Sequence, residues 1–459
     1  MPLPSAFLEE MNQVLGADEA SSLSRALTET LPCTSIRLNP AKLPQHLPAA
    51  VQSPVPWCEE GRYLAERPVF TADPLLHAGC YYVQEAASMF VEQAYRKIAE
   101  HFTPHRMLDL CAAPGGKSTL WRSLLPEGAL LVANEPMRQR AQILAENLTK
   151  WGQPDVMCTS AFPEEFSRFG SFFDVVATDV PCSGEGMFRK DEEAVAAWSR
   201  EAVLACADRQ WQIVCDVWPA LRQDGFLVYS TCTFNREENE WMVQRICREL
   251  GGELVPVEVD EAWHVAGDTT GEHLPVYHFF PHRTQGEGLF LALIRKTSEA
   301  PQAKKKKAKR GGAGGKQPVA HASKVAGWMR QGHDFKILRP DEAHLMAVRE
   351  TLADNMQLLS SHVLTLTAGV LLAEERGKKL IPQHALALSH VLREDAFPMV
   401  PLSREQALDY LRRQAITLGA DAPRGYVVAT FEGHPLGFLN NLGARANNLY
   451  PQEWRIRNL

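Results

Sequence analysis

The sequence predicts an α/β protein built on a mostly parallel, doubly wound sheet. Three observations indicate this class: apolar strand-like runs alternate with helical stretches through the middle of the chain, a Pro-Gly-Gly turn follows the first of these runs, and the second run ends in a carboxylate. Alternating strands and helices are typical of a parallel sheet with helices on both faces. A glycine turn between a strand and a helix N-terminus is the usual device by which such a sheet holds a nucleotide-like ligand.

The glycine turn lies at residues 114–116 and lets a ligand approach bare backbone. It follows an apolar run at residues 107–111, which predicts a buried strand, and it precedes residues 117–125, which predict a helix. A second apolar run, residues 130–135, ends in Glu135 about 20 residues farther along, where this device places its ribose-binding acid. We expect Glu135 to contact the ribose hydroxyls of the ligand.

The alternation continues along the chain, and we assign residues 76–298 to the sheet domain. Further strands are predicted at residues 155–158, 173–181, 225–231 and 288–295, and helices at residues 84–98, 138–150, 191–218 and 237–250. The stretch 191–218 is long for one straight helix, which leaves room for a kink.

Smaller units are expected on both sides of the sheet domain. Residues 1–75 predict two helices and a strand, which form an N-terminal α+β domain. Residues 299–318 form a basic linker rich in lysine and glycine, a composition typical of a flexible tether that also attracts phosphates. Residues 319–459 form a C-terminal domain. Its predicted elements are helices at residues 341–355 and 404–413, strands at residues 363–372, 379–381 and 425–431, and a turn at residues 433–437.

Composition narrows the functional class. The net charge is -7, and no apolar run reaches the roughly 18–20 residues of a membrane span. The N-terminus lacks the basic and apolar segments of a secretory signal. The ten cysteines occur without a Cys-x-x-Cys pair, which argues against a zinc ribbon or a disulfide scaffold. We therefore expect a cytoplasmic protein with no membrane segment and no metal site.

Two cysteines follow strands of the predicted sheet directly. Cys182 comes after the strand that reaches Asp179, and Cys232 comes after the next strand along the chain. Since ligands bind beyond the carboxyl ends of parallel strands, both thiols should face the crevice that contains the glycine turn. Two thiols at one site are consistent with covalent catalysis, a redox pair or coincidence.

Three segments that occur in order resemble the NOL/NOP/Sun family of S-adenosylmethionine-dependent RNA cytosine-C5 methyltransferases. They are LDLCAAPGGKS at residues 108–118, DVPCSGEGMFRKD at residues 179–191 and STCTFNREENE at residues 230–240. Shorter segments extend the resemblance to the RsmF-like branch, which methylates small-subunit (16S) ribosomal RNA; they lie at residues 37–40, 82–85, 281–290, 382–387 and 447–456. The resemblance implies a Rossmann-like class I methyltransferase sheet between a small N-terminal domain and a PUA-like RNA-binding C-terminal domain.

The resemblance also implies a cofactor, S-adenosylmethionine, and a set of residues that bind it. By correspondence with the family motifs these residues are Cys111, Ala112, Ala113, Pro114, Gly115, Gly116, Lys117, Glu135 and Asp179. Many family members carry an aspartate next to the adenine, after the third strand of the sheet. Residues 157–162 contain none here, so we expect Ser160 or backbone groups to take its place.

The family's mechanism assigns roles to four side chains. Cys232 would be the nucleophile that adds to carbon 6 of cytosine, which makes carbon 5 nucleophilic. Cys182 would act in product release, when a base removes the proton from carbon 5. Asp179 would hydrogen-bond the cytosine edge as charge develops, and Lys117 would lie beside the base. The implied partner is ribosomal RNA within the small ribosomal subunit, bound by a monomer with the target cytosine flipped out of its stack.

Other functions fit the sequence less well. A DNA cytosine methyltransferase would use the Pro-Cys cysteine as its nucleophile and carry a Glu-Asn-Val segment, which this chain lacks. An amino-group methyltransferase would carry Asn/Asp-Pro-Pro-Tyr/Phe where residues 179–182 read Asp-Val-Pro-Cys. A redox dithiol protein leaves the glycine turn unexplained. A transfer RNA methyltransferase and a non-catalytic ribosome-assembly factor stay open as alternatives.

Overall fold

The structure, a computed structural model, describes residues 2–298, 321–330, 334–377 and 379–457. The predicted linker at residues 299–318 lies outside the described residues. Over the described ranges the chain forms four sheets, and the largest of them is the sheet predicted for the middle of the chain.

The N-terminal unit combines helices with an antiparallel sheet. Its elements are α1 (Ser5–Leu15), α2 (Ala17–Glu29), β1 (Thr34–Leu38), β2 (Val51–Pro54), β3 (Gly61–Leu64), α3 (Pro74–His77) and β4 (Tyr81–Val83). The strands pair in the order β2-β3-β1-β4. Phe7 on α1 and Leu23 on α2 are buried in one cluster with Phe188 and Phe234, which lie in the loops after Cys182 and Cys232. The N-terminal helices therefore support the loops that carry both predicted thiols.

The middle of the chain alternates strands and helices. Its elements are α4 (Val91–His101), β5 (Arg106–Asp109), α5 (Gly116–Leu124), β6 (Leu130–Asn134), α6 (Arg138–Trp151), β7 (Val156–Thr159), α7 (Pro163–Phe166), β8 (Phe173–Asp179), α8 (Glu192–Ala197), α9 (Arg200–Val217), β9 (Leu221–Thr231), α10 (Glu240–Ile246), β10 (Gly252–Leu254), β11 (Val276–Phe279) and β12 (Leu289–Lys296). The predicted 191–218 helix is broken between α8 and α9, where Ser199 caps α9 by accepting a hydrogen bond from the Ala202 amide.

The C-terminal part of the chain contains two smaller sheets. Its elements are α11 (Ala322–Ala326), β13 (Phe335–Leu338), β14 (His344–Arg349), α12 (Glu350–Ser360), β15 (Thr365–Ala368), β16 (Val370–Arg376), β17 (Lys379–Pro382), α13 (His384–Leu388), β18 (Met399–Pro401), α14 (Arg404–Leu411), β19 (Gly425–Phe431), β20 (His434–Asn441) and β21 (Ala446–Asn448). The strands of the first sheet follow the order β13-β14-β16-β17, and those of the second follow β18-β19-β20-β21.

The central sheet has the strand order β10-β12-β9-β8-β5-β6-β7-β15, with β11 paired to β12. Strands β9, β8, β5, β6 and β7 are parallel, and β12 and β15 are antiparallel to their neighbours. Met107 and Leu108 pack into separate buried clusters, one with α4, α5 and α6 and the other with α9, α10 and α12. Helices therefore cover both faces, and the predicted fold class is confirmed. The strand order reverses between β5 and β8, which is where ligands bind in such sheets.

Several predicted elements in the C-terminal part are wrong. The helix predicted at residues 341–355 is a strand, β14, followed by α12. Strand β14 pairs with β13 and β16, and its side chains Leu345 and Ala347 are buried on one face of that sheet. Tertiary pairing therefore overrides the helical pattern. The turn predicted at residues 433–437 is shorter, because β20 already begins at His434. Near the sheet domain, the helix predicted at residues 84–98 begins only at Val91, after β4 and a short 3-10 turn.

The strand predicted at residues 363–372 divides at Gly369 and belongs to two sheets. Its first half, β15, pairs with β7 at the edge of the central sheet, and its second half, β16, pairs with β14. Gly369 has φ +60, and an added Cβ would lie 2.2 Å from the Ala347 carbonyl oxygen. Leu352 and Met356 of α12 are buried in the same cluster as Val132 of β6. The expected boundary at residue 319 therefore does not coincide with the edge of the sheet, and we propose that residues 350–368 fold as part of the central domain.

Arg37 joins the N-terminal unit to the glycine turn. Its guanidinium is fully buried and donates to the Gln84 side-chain oxygen at 2.8 Å, to Thr119 Oγ1 at 2.6 Å and to the Gly116 carbonyl oxygen at 3.3 Å. It also lies over the Trp151 ring, 4.5 Å from the centroid. Removal of any one of these partners would leave the buried charge less well satisfied, which would weaken the contact between the two units.

Replacing Arg37 with methionine is expected to lower the midpoint of thermal unfolding by about 3–8 °C, because several buried acceptors lose a charged donor. Differential scanning fluorimetry measures this midpoint. The matched control is Arg25→Met on the exposed side of α2, which should leave the midpoint unchanged. Equal midpoints for wild type and Arg37→Met would contradict the role assigned to this contact.

Candidate active site

A cavity of about 380 Å³ lies at the carboxyl ends of β5, β8 and β9. Its floor includes Asp109 at the end of β5, Asp179 at the end of β8 and Cys232 just after β9. The opposite wall comes from the N-terminal segment around Tyr82 and Gln84. The volume falls within the roughly 300–1,000 Å³ typical of sites for small molecules and cofactors.

The glycine turn forms one side of this cavity. The residues of the turn and its neighbours in the chain that line the cavity are Cys111, Ala112, Ala113, Pro114, Gly116 and Lys117. The turn is tied to the neighbouring strand by a hydrogen bond from the Ala112 amide to the Asn134 carbonyl oxygen at 2.8 Å. Burial raises the pKa of the Cys111 thiol to about 12, so this cysteine contributes packing and backbone rather than a thiolate.

Backbone conformation at Gly115 and close packing at both positions favour glycine in the turn. Gly115 has φ +115, a conformation that favours glycine, and an added Cβ would lie 3.2 Å from Leu144 on α6. An added Cβ at Gly116 would lie 3.3 Å from the Tyr82 ring. Gly115 therefore packs against α6, whereas Gly116 packs against the N-terminal segment at Tyr82.

Glu135 lies at the end of β6 but does not line this cavity. Its buried carboxylate accepts a hydrogen bond from the Met137 amide at 3.0 Å and pairs with Arg140 at 3.1 Å. Ser160, predicted next to an adenine, donates its hydroxyl to the Pro136 carbonyl oxygen at 3.2 Å and its amide to the Leu364 carbonyl oxygen at 2.9 Å. The backbone at Ser160 is thus engaged by the segment that leads into β15, a contact that local sequence did not reveal.

Lys117 and Asp179 form an ion pair in the cavity. Lys117 Nζ lies 2.8 Å from Asp179 Oδ2, and Ser230 donates its hydroxyl to Asp179 Oδ1 at 2.8 Å. Burial by itself lowers the pKa of Lys117, but the negative charge of Asp179 and the hydrogen bond to it raise this pKa above its usual value. Lys117 therefore carries a positive charge at neutral pH and holds the Asp179 carboxylate in place.

The two predicted thiols lie side by side. Cys182 Sγ is 3.2 Å from Cys232 Sγ, and the Cys232 amide donates to Cys182 Sγ at 3.4 Å. The hydrogen bond to Cys232, together with burial, raises the pKa of the Cys182 thiol well above its usual value. Cys182 therefore keeps its proton at neutral pH. Cys232 lines the cavity, whereas Cys182 does not.

Asp109 lines the cavity but was not singled out in the sequence. Ser118 donates its hydroxyl to Asp109 Oδ2 at 2.6 Å. Burial raises the pKa of Asp109 to about 7. Its neighbours in the chain are the apolar strand residues of the first motif, so the pattern showed a buried strand and gave no sign of a carboxylate in the site. Lys190 and Glu287 at the other end of the cavity were also missed, although both lie in segments that carry the family resemblance.

The raised pKa of Asp109 makes stability depend on pH. An unfolded aspartate titrates near pH about 4. Between that pH and about 7 the folded protein therefore binds more protons than the unfolded chain, and the free energy of unfolding falls as pH rises. Asp109→Asn should remove this pH dependence. Relative to wild type, the free energy of unfolding of the variant should therefore increase by up to about 1.4 kcal/mol for each unit by which the pH rises between about 4 and about 7.

Urea unfolding at several pH values between the two limits measures this difference. Asp208→Asn on the exposed side of α9 is the control and should follow wild type at every pH. Parallel curves for wild type and Asp109→Asn would contradict the burial of an ionisable carboxylate at this position.

The residues of the cavity fit a nucleoside cofactor with an amino-acid portion. The backbone of the glycine turn offers polar groups without bulky side chains, and α5 begins at Gly116 with its positive N-terminal end at the turn. Asp179 and Asp109 supply acceptors for an ammonium group. Among the described residues no group of three or more histidine, cysteine or acidic side chains is arranged to hold a metal ion, and no described helix is long and apolar enough to cross a membrane.

Comparison with protein families gives three matches. The model described as 16S rRNA methyltransferase RsmB/F matches residues 99–295, and the N-terminal domain of 16S rRNA methyltransferase RsmF matches residues 3–86. The methyltransferase RsmF PUA domain matches residues 397–456. The predicted PUA domain is therefore confirmed, and it comprises β18 to β21 with α14.

Similar proteins cover almost the whole chain. The ribosomal RNA small subunit methyltransferase F of Klebsiella pneumoniae (strain 342) is 31% identical over 98% of this chain and 96% of that protein. The corresponding protein of Escherichia coli O9:H4 (strain HS) is 30% identical with the same coverage. A solved structure, a methyltransferase homologue from Pyrococcus horikoshii, is 25% identical with a TM-score of 0.53 and covers 64% of this chain and 95% of its own.

The matches and the sheet agree on the cofactor, which is S-adenosylmethionine. The glycine turn and the acids at the ends of β5 and β8 lie within the residues that match the methyltransferase model. Because the similarity extends through the N-terminal, central and PUA domains, the chain belongs to the ribosomal RNA small subunit methyltransferase F family.

Proposed function

We propose that this protein transfers a methyl group to carbon 5 of a cytosine in small-subunit (16S) ribosomal RNA through a covalent bond between Cys232 and the base. The observation that carries the proposal is the pair of sulfur atoms 3.2 Å apart beside the Lys117–Asp179 ion pair, at the cavity of a methyltransferase sheet. A methyltransferase that used an amino group as its acceptor would need no thiol there.

The chemistry of the base explains why a thiol is useful. Carbon 5 of cytosine is a poor nucleophile. Addition of the Cys232 thiolate to carbon 6 forms a carbon–sulfur bond and moves the electron pair of the 5,6 double bond towards carbon 4 and the ring nitrogen. Carbon 5 thereby becomes the nucleophilic carbon of an enamine. S-adenosylmethionine supplies the electrophilic methyl group that carbon 5 accepts. Cys182, which stays protonated, can donate its S–H to Cys232 and stabilise the thiolate before addition.

Asp179 and Lys117 act on the cytosine edge. Electron density moves towards the ring nitrogen and the exocyclic amino group as the carbon–sulfur bond forms. Asp179 accepts a hydrogen bond from the exocyclic amino group and relays a proton from solvent to the ring nitrogen as negative charge develops there, and Lys117 keeps the carboxylate fixed and balances its charge. Ser230 holds the other oxygen of Asp179, so the carboxylate has one orientation before the base arrives.

Release of the product requires a base near carbon 5. After methyl transfer, carbon 5 still carries its hydrogen, and removal of this proton restores the 5,6 double bond while the bond from carbon 6 to Cys232 breaks. Cys182 is the base in this step. Once Cys232 is bound to carbon, the hydrogen bond to Cys232 that raises the pKa of Cys182 is lost, so Cys182 gives its proton to solvent, and its thiolate then takes the proton from carbon 5 while Cys232 leaves as a thiolate. Glu135 contacts the ribose in this proposal, together with the turn residues from Cys111 to Lys117.

The two flanking domains select the RNA. The N-terminal unit packs against the catalytic loops and also shares a buried cluster with the PUA domain, so both can contact RNA around a flipped-out cytosine. We propose that the protein acts as a monomer on the small ribosomal subunit in the cytoplasm.

The test uses wild-type protein, S-adenosylmethionine and small ribosomal subunits from cells that lack this enzyme. We expect 5-methylcytosine at one or more positions of 16S ribosomal RNA, mapped by bisulfite sequencing. Methylation of transfer RNA but not of subunits would overturn the substrate and keep the chemistry. Binding to subunits without methylation of either RNA would indicate an assembly factor.

A further inference from the structure

Glu238 is a buried acid next to the two thiols that the proposed reaction does not use. It lies just before α10 in the loop that follows Cys232, and its side chain has no exposure to solvent. A carboxylate buried this deeply is costly unless several donors satisfy it. Three donors do so here, and the contacts they make lead directly to Cys182.

The chain on both sides of Cys182 is held by Glu238 and Gln210. The amide of Ser183, the residue after Cys182, donates to Glu238 Oε2 at 3.0 Å. Gln210 on α9 donates to the same oxygen at 2.6 Å and to the carbonyl oxygen of Pro181, the residue before Cys182, at 2.9 Å. The backbone on both sides of Cys182 is thus hydrogen-bonded to the same pair of side chains, the Glu238 carboxylate and the Gln210 amide. We call these contacts the Glu238 clamp.

The same clamp reaches the loop of the second thiol. Asn235 donates its side-chain amide to Glu238 Oε1 at 2.8 Å. The hydroxyls of Ser183 and Thr233 lie 2.8 Å apart, which links the residues that follow Cys182 and Cys232. Glu238 therefore belongs to a network that joins both loops and sets the spacing of the two sulfur atoms.

We propose that Glu238 is a positioning residue that holds the loop of Cys182 against Cys232 and so fixes the place of each thiol for its step of the reaction. The inference rests on the proposed function, because it assigns the two thiols their roles in methyl transfer and release. In this proposal Glu238 does not contact the cytosine that reacts with the thiols. It acts only by holding the loop of Cys182.

Charge supports the geometry. Among the causes that raise the pKa of Cys182, after its hydrogen bond to Cys232 and burial, is the negative charge of Glu238. Burial raises the pKa of Glu238 itself to about 7, and its donors lower it. The other titratable groups facing Glu238 are Glu185, whose charge raises the pKa of Glu238, and Tyr229 and Cys206, whose own pKa values are raised by burial and by Glu238. The clamp is therefore strongest above neutral pH.

The first test is Glu238→Gln, which keeps the size of the side chain and removes its charge. All three partners of the carboxylate are donors, so the new amide nitrogen must face one of them and the clamp loosens. We expect kcat for 5-methylcytosine formation to fall about tenfold with KM for S-adenosylmethionine within about twofold, and covalent RNA–protein complex to accumulate on denaturing gels.

A second readout needs no RNA. Iodoacetamide alkylates thiolates, and peptide mass spectrometry measures the ratio of labelled Cys182 to labelled Cys232. In Glu238→Gln this ratio should rise several-fold, because the loop of Cys182 loosens and the charge that helps to raise the pKa of Cys182 is gone. Glu237→Gln is the matched control, since the neighbouring Glu237 pairs with Arg200 at 2.5 Å instead of holding Cys182; its kcat and labelling ratio should equal those of wild type.

The outcomes separate this inference from the proposed function. Cys182→Ala is run in parallel: if it traps no RNA, the proposed function fails and the role of Glu238 fails with it. If Cys182→Ala traps RNA but Glu238→Gln shows wild-type turnover and labelling, or loses activity without accumulating complex, only the role of Glu238 is overturned. Should Glu238→Gln not fold, Gln210→Met removes the other half of the clamp and must show the same accumulation and labelling change for the inference to stand.

Discussion

Replacing Cys182 with alanine is expected to leave a covalent RNA–protein complex that survives denaturing electrophoresis, whereas Cys232→Ala gives neither complex nor product. In Cys182→Ala the Cys232 sulfur still adds to the base and methyl transfer proceeds, but proton removal from carbon 5 slows by about 10²–10⁴-fold. In Cys232→Ala no carbon–sulfur bond forms, and methylation should fall by at least about 10⁴-fold. The measurement combines denaturing gels with mapping of 5-methylcytosine after incubation with unmethylated small subunits.

The control for this pair is Cys206→Ala, a cysteine on α9 away from the cavity, which should behave as wild type. The two sulfur atoms are close enough that either could be the nucleophile on distance alone. If Cys232→Ala trapped RNA and Cys182→Ala did not, the roles would be reversed and the chemistry would resemble that of DNA cytosine methyltransferases. If neither variant trapped RNA while wild type methylated it, the acceptor would not be carbon 5.

Asp179→Asn is expected to lower kcat by about 10²–10³-fold while the protein stays folded. Asparagine keeps the size of the side chain and can still accept the hydrogen bond from Ser230, but it cannot relay a proton to the ring nitrogen, where negative charge develops. It also leaves Lys117 buried without its counter-charge, so the pKa of Lys117 falls, because the charge of Asp179 and the hydrogen bond to it no longer oppose the effect of burial. Single-turnover methylation measured as a function of pH would show both effects.

Ser230→Ala is the matched control for Asp179→Asn. It removes one hydrogen bond to the carboxylate and leaves the ion pair with Lys117 intact, so kcat should fall by less than about tenfold. Near-normal kcat in Asp179→Asn, with Ser230→Ala equally active, would mean that the ion pair serves packing and not the chemistry.

The sequence by itself determined the class of the central sheet and most of the parts of the site. The strands at β5, β6, β8 and β9 are short apolar runs bounded by polar turns, and such local periodicity decides which segments are buried strands. The glycine turn and the residues at the strand ends follow from the same pattern, because parallel strands bring their carboxyl ends to one edge. Asp179 and both predicted thiols were found in this way.

Only the tertiary structure decided how distant segments meet. Cys182 and Cys232 are 50 residues apart, and their contact depends on the pairing of β8 with β9 and on the clamp around Glu238. The same holds for β15, which joins the central sheet from the C-terminal part of the chain, and for Arg37, whose partners lie about 80 residues farther on around Gly116. Local periodicity contains no information about such pairings, because they arise from burial and hydrogen bonds between segments that are neighbours only in the folded protein.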